Sequence, residues 1–285
     1  MSRRMAITAV AIVAGISVTY WLFVRPNVAD LALSNSSESI ARGQYLVDAG
    51  GCVSCHEGIE HPDSMSGGLA LESEFGTFYV PNITPAVATG IGNWDAQDFL
   101  LALKHGRSPL GSFYFPAFPY PAYAGLTDQD VLDIGAYLLS RPAVENATPA
   151  HEIPGWLARW MLAGWNVMAG FDAYADGAPS VDRGEYLARH LGHCGECHTP
   201  RNAVGILNRD RQYAGATLIE GKVDAIDGEA LAEWSQDDFV LFLSLGLKPD
   251  GEFVGGEMEK VIEHNTSRLT TEDKEAMAAY FLGSE

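Results

Sequence analysis

Hydrophobic and polar positions along this 285-residue chain form one pattern written twice, preceded by a segment of a different kind. That segment has Arg3 and Arg4, then an uncharged and largely apolar run over residues 5–24, then Arg25-Pro26. Twenty helical residues at about 1.5 Å each reach about 30 Å, the thickness of a bilayer core. A cleaved signal peptide has a shorter apolar part, about 7 to 15 residues, and Tyr20-Trp21 stand where an interfacial aromatic belt would lie. The pattern predicts an N-terminal transmembrane helix and linker over residues 1–37. With Arg3 and Arg4 held inside, the rest of the chain is expected in the periplasm, anchored to a bacterial inner membrane by that single helix.

Beyond residue 37 the pattern repeats. Arg42-Gly43-x-Tyr45-Leu46 ends one amphipathic stretch and Arg183-Gly184-x-Tyr186-Leu187 ends another. Trp94-x-x-x-Asp98-Phe99 returns as Trp234-x-x-x-Asp238-Phe239, and Gly106-x-x-Pro109-x-Gly111 as Gly246-x-x-Pro249-x-Gly251, both 140 residues on. Each half closes on an apolar-periodic run, from Leu126-Thr127 to Leu138 and from Leu269-Thr270 to Phe281. Thr127 and Thr270 are the expected N-caps, with acidic residues in the following turn. The order is helix, long loop, middle helix, Gly/Pro loop, terminal helix, with little strand pattern between. The expected fold is all-α: two tandem domains over residues 38–145 and 181–285, each within the rough size range of a domain. Residues 146–180 join them. In that linker, Trp156, Trp160, Met161, Trp165 and Met168 recur at helical spacing and predict a packed interdomain helix.

Charge narrows the partners. A formal net charge of −19 disfavours nucleic acid, whose phosphates would be repelled. It suits a soluble surface, and it suits steering toward a basic docking face on a redox protein.

The chemistry lies in the four cysteines, all used in two pentapeptides: Cys52-Val53-Ser54-Cys55-His56 and Cys194-Gly195-Glu196-Cys197-His198, 142 residues apart. In Cys-x-x-Cys-His, two thiols add across the vinyl groups of a haem and the histidine ligates the iron. A disulfide or a four-cysteine zinc site would leave His56 and His198 without a purpose. Two covalently bound haem c groups are predicted. Methionine commonly completes such an iron from the other side, since its soft thioether raises the potential. Met258, after the second Gly/Pro loop, is the expected ligand there, so His56, His198 and Met258 are the expected metal ligands. Carried back 140 residues, its position holds Phe118, which cannot bind iron. For the first haem the alternatives are His105, His61, Met65, Tyr114, Tyr120 and Tyr123, or no ligand at all. His105 reads as a solvated helix end and Met65 as surface packing.

Residues 192–202, Gly-His-Cys-Gly-Glu-Cys-His-Thr-Pro-Arg-Asn, with Val80-Pro81-Asn82-Ile83-Thr84-Pro85, Gly90-Ile91-Gly92-x-Trp94 and Tyr120-Pro121-x-Tyr123, carry a resemblance. They are similar to the multihaem cytochrome c subunits of membrane-bound periplasmic dehydrogenases, those of alcohol and gluconate among them. The resemblance covers nearly everything after residue 38. It implies that Cys52, Cys55 and His56 hold one haem, that Cys194, Cys197 and His198 hold the other, and that Met258 completes the second. It also implies electrons taken from a catalytic subunit and passed toward quinone or a terminal oxidase. The chain departs from that family in having two motifs where the alcohol dehydrogenase subunits have three, and in Phe118, where methionine is frequent.

The expected function is electron transfer between a dehydrogenase and the respiratory chain by a membrane-tethered dihaem cytochrome c, with no catalytic residues. Its partners would be a dehydrogenase subunit, a terminal oxidase or another cytochrome. The alternative is a peroxidase-like dihaem enzyme with an open first haem.

Overall fold

Local capping chemistry starts each helix where the polar pattern places it. In the computed structural model, which describes residues 28, 30–61, 64–171, 181–219 and 221–283, Ser36 accepts from Ser39 N and opens α1, Ser37–Ala49. The helix stops at Gly50, Gly51 takes a left-handed φ of 67°, and the first motif forms its own turn, α2, Cys52–His56. A left-handed residue reverses the chain at little steric cost only if it is glycine. The motif is therefore a separate turn, where the sequence pattern suggested the C-terminal end of one helix.

Two short hairpins correct the all-α expectation. β1, Ala70–Ser73, pairs antiparallel with β2, Gly76–Tyr79, with Ala70 opposite Tyr79. In the second half β3, Ala216–Leu218, pairs with β4, Gly221–Val223. Strands of three or four residues are too short for a period-2 alternation to show in sequence.

The first half continues through α3, Ala96–His105, opened by a capping box in which Asp95 and Asp98 each accept from the other's backbone N–H. It ends with α4, Tyr120–Tyr123, and α5, Asp128–Ser140, whose N-cap is Thr127 as expected. A connecting helix, α6, covers only Met161–Ala169. Leu162, Ala163 and Asn166 are its buried side, whereas Trp156, Trp160 and Met168 are 64%, 68% and 66% exposed. Trp156 and Trp160 precede this helix and Met168 lies on its exposed side, so the packed interdomain helix expected over these residues forms only in part.

The second half repeats the plan. α7, Arg183–Tyr186, runs into a π-helical turn, Leu187–Leu191, and then α8, Gly195–His198. α9, Gln236–Leu245, has a Ser235/Asp238 capping box; α10 spans Glu257–His264, and α11, Thr271–Leu282, is capped by Thr270.

In each half the first and last helices cross at a glycine. A Cβ on Gly43 would sit 1.9 Å from Asp133 O, and one on Gly184 would sit 2.0 Å from Ala276 O. Polar contacts between the halves are reciprocal. The Tyr45 hydroxyl donates to Asp273 and accepts from Thr270 N at 3.3 Å, while the Tyr186 hydroxyl donates to Asp130 and accepts from Thr127 N at 3.2 Å. Equivalent residues exchanging equivalent bonds define a pseudo-two-fold relation, as in an isologous interface. Buried apolar residues from both halves, Leu46, Val131 and Tyr137 with Leu187, Phe239 and Phe281, belong to one contiguous core.

Three further expectations change. Among the described residues no helix is long and apolar enough to cross a membrane. The longest, α1 and α5, have 13 residues, against about 20 needed to span. The expected N-terminal transmembrane helix falls on residues 5–24, outside the described residues, and neither it nor the inner-membrane anchoring drawn from it is supported by the helices described. Met65, expected at the surface, is buried at 4% exposure, with its carbonyl accepting from Ile83 N at 3.0 Å. His105 is half-buried, where a solvated helix end was expected, and burial lowers its pKa.

Candidate haem sites

Each motif ends in a histidine whose orientation is fixed by one backbone carbonyl. His56 Nδ1 lies 2.8 Å from Pro81 O, and His198 Nδ1 lies 2.7 Å from Asp224 O. A carbonyl only accepts, so both Nδ1 atoms carry the proton and both Nε2 atoms keep the lone pair that a metal takes. The acceptors are one or two residues past the ends of β2 and β4, which gives the hairpins their role: they present the carbonyl that sets the imidazole. The histidine's own carbonyl is held as well, by Gly67 N at 2.9 Å in the first site and Gly215 N at 2.8 Å in the second. Both glycines are left-handed, at φ 69° and 75°. A Cβ on Gly67 would meet Pro81 O at 2.5 Å, and one on Gly215 would meet Val223 O at 2.8 Å.

Asn82 secures the strand end beside Pro81. Its Nδ2 donates to Val144 O at 2.8 Å, and its Oδ1 accepts from Thr84 N at 2.9 Å. Sequence reasoning singled out residues 80–85 only as part of a family likeness. The acceptor role of Pro81 and Asp224 belongs to main-chain oxygens, which every residue type has, so no side-chain pattern announces it.

None of the four thiols is tied up in a disulfide. Cys52 and Cys194 are half-buried, Cys55 and Cys197 exposed. Burial pushes the Cys52 and Cys194 thiols up to about 12, with the neighbouring cysteine of each motif acting in the same direction. Both are therefore protonated at neutral pH. Among the described residues no cluster of three or more His, Cys, Asp or Glu side chains could hold a metal ion. Burial also lowers both motif histidines, His56 to about 4, against the opposing pull of its carbonyl partner. Neutral imidazole with Nε2 left for a metal, next to two thiols outside any disulfide, is the donor set that covalent haem attachment requires, and it occurs twice.

The two motifs meet across the pseudo-dyad. The first is covered by the second half: a Cβ on Gly51 would lie 2.0 Å from Asn265 Nδ2, Ser54 Oγ donates to Asn265 Oδ1 at 2.8 Å, and Glu257 acts on the Cys55 thiol. The second is covered by the first half: His193, next to Cys194 and left-handed at φ 40°, packs edge-on against Tyr123 with ring centroids 5.5 Å apart. The Tyr123 hydroxyl in turn donates to Gly50 O at 3.3 Å, two residues from Cys52.

Met258 is half-buried in the first turn of α10, after left-handed Gly256, and its helix packs on α2. Phe118 is half-buried among Tyr114, Tyr120 and Tyr123. His61 is exposed. Met65 belongs to the buried core, and its carbonyl is bonded to Ile83, two residues from Pro81.

Comparison with known proteins agrees with this geometry. A cytochrome c family model matches residues 40–142. The chain is 40% identical over 293 residues to a dihaem c-type cytochrome of Cereibacter sphaeroides, covering 98% of this chain and 96% of that protein. It is 37% identical to the cytochrome c subunit of a gluconate 2-dehydrogenase of Pantoea cypripedii and 35% identical to that of a quinone alcohol dehydrogenase of Gluconobacter oxydans. Each of those alignments covers 85% of this chain, but only 58% and 54% of the relative, so the chain spans little more than half the length of the dehydrogenase subunits. With two Cys-x-x-Cys-His turns, each histidine oriented by a backbone carbonyl, and a relative matched over nearly its whole length, the chain belongs to the c-type cytochrome family.

Proposed function

We propose that the protein is a dihaem cytochrome c that relays single electrons between a dehydrogenase and the respiratory chain. Its two cytochrome c-like units would span residues 38–145 and 181–285, joined by residues 146–180. Cys52, Cys55 and His56 would hold the first haem, and Cys194, Cys197 and His198 the second, with Met258 as the second iron's other ligand. When bound, such haems supply one-electron chemistry; the protein's part is to set their spacing, exposure and potential. The observation that carries this reading is the duplicated donor set, with Nδ1 tied to a carbonyl and Nε2 left free in both motifs. The dehydrogenase subunits among the relatives support the choice of donor.

The test is the haem count by pyridine haemochrome assay on the full chain. Two haems per polypeptide are expected, falling to one in Cys52→Ser/Cys55→Ser and to one in Cys194→Ser/Cys197→Ser. A single haem in the unaltered chain, or none, would refute the reading.

A further inference from the structure

Met258 has no counterpart in the first half, and the fold makes this conclusion independent of how the halves are aligned. The loops after the middle helices match at one spacing: Arg107 bridges Phe113 as Leu247 bridges Phe253, and Tyr114 N donates to Gly106 O as Val254 N does to Gly246 O. Carried forward, this spacing sets Phe118 against Met258. The last helices match at a longer spacing, Thr127 with Thr270, because α10 has 8 residues where α4 has 4. Counted back from those helices, Met258 falls on Phe115. Wherever the extra residues are placed, the counterpart lies within Phe115-Pro116-Ala117-Phe118, and none of these side chains can bind iron.

An aromatic wall stands there instead. The Phe118 ring lies 5.7 Å from Tyr114, 6.4 Å from Tyr120 and 5.6 Å from Tyr123. Tyr120 and Tyr123 give their protons to Asn166 Oδ1 and Gly50 O. Burial pushes the Tyr114 phenol up to about 12, so it stays neutral and is a poor iron ligand. His151 Nδ1 accepts from Tyr79 N at 3.1 Å, which puts the ring proton on Nε2 and removes the lone pair needed for coordination. Nearby cations are engaged: Arg107 Nη1 donates to Gly111 O at 2.9 Å and Arg159 Nη1 to Phe113 O at 2.7 Å.

We propose that the iron held by His56 has no protein ligand on its far side, and that a pocket walled by Phe118, Tyr114 and Tyr123 admits a small uncharged diatomic ligand, carbon monoxide or nitric oxide, to that iron. This inference rests on the dihaem reading. An apolar wall favours such a ligand over peroxide, whose cleavage needs a base to take its proton and a cation to draw off charge.

Full-length protein, reduced with dithionite and titrated with carbon monoxide, tests this, with the haem count taken on the same sample. The expected result is two haems and one bound carbon monoxide per chain, with about half of the oxidised haem high-spin, as follows from one open iron in two. Phe118→Met supplies a thioether and should abolish both carbon monoxide binding and the high-spin signal. Two haems per chain of which neither binds carbon monoxide would overturn the proposal. Fewer than two haems would instead be a failure of the dihaem reading.

Discussion

At the residue scale, buried and half-buried carboxylates tie elements together, Asp273 partly across the halves and Asp133 within the first. Burial acts to raise Asp273, but bonds from Arg183 and Tyr45 outweigh it and hold the group below the ordinary carboxylate range. Asp133 is held low in the same way by Arg42, Ser39 and Gln129, again against burial. A carboxylate whose pKa is depressed by folding stabilises the protein above its unfolded value, and that contribution is lost as pH falls through the folded value. Stability should therefore decline below pH of about 4, and Asp273→Asn should flatten the decline. The same substitution breaks a contact between halves and should cost about 1–3 kcal/mol at neutral pH, measured by denaturant unfolding; an unchanged midpoint would show that the contact contributes nothing. These roles were only partly legible. Tyr45 and Tyr186 stood out as repeated residues, but a repeat shows equivalence and does not show that each tyrosine reaches into the opposite half. His193 gave no signal either, because a left-handed histidine looks like any other in sequence.

At the element scale, the glycine crossings decide how closely the first and last helices approach. Gly43→Ala puts a methyl group against Asp133 O, a main-chain atom that cannot swing aside. The helices must separate, at a cost of about 1–3 kcal/mol or more. Gly164→Ala in α6 is the control: its Cβ would meet nothing within 4 Å, so the better helix former should leave stability unchanged or raise it by up to about 1 kcal/mol. Thermal unfolding of the two variants measures the contrast, and equal effects would mean that the crossing is not tight. Helix starts were the most legible elements, because capping is local: Thr127 and Thr270 cap where polar residues precede apolar runs. The hairpins were not legible. Their strands are short, and what they contribute to the sites is a carbonyl oxygen at Pro81 and at Asp224.

At the scale of the whole molecule, two equivalent units are packed about a pseudo-dyad so that each covers the other's haem motif, through Asn265 on one side and Tyr123 on the other. Under the proposed ligation the units differ: Met258 would complete the second iron, whereas the matching positions of the first half, Phe115-Pro116-Ala117-Phe118, offer no such side chain. That asymmetry was visible in the sequence as a broken repeat, while the closeness of the motifs was not, since it depends on contacts between residues more than 200 apart such as Ser54 and Asn265. A thioether ligand raises the potential of its haem, so the proposed ligand Met258 makes the second haem the higher of two unequal potentials. The most direct test is a redox titration of the full chain followed by c-type absorption, with Met258→Ala beside it. Two one-electron steps of equal amplitude are predicted, with the substitution lowering only the upper one. A single step in the unaltered protein, or a lower step that moves with Met258, would contradict this account.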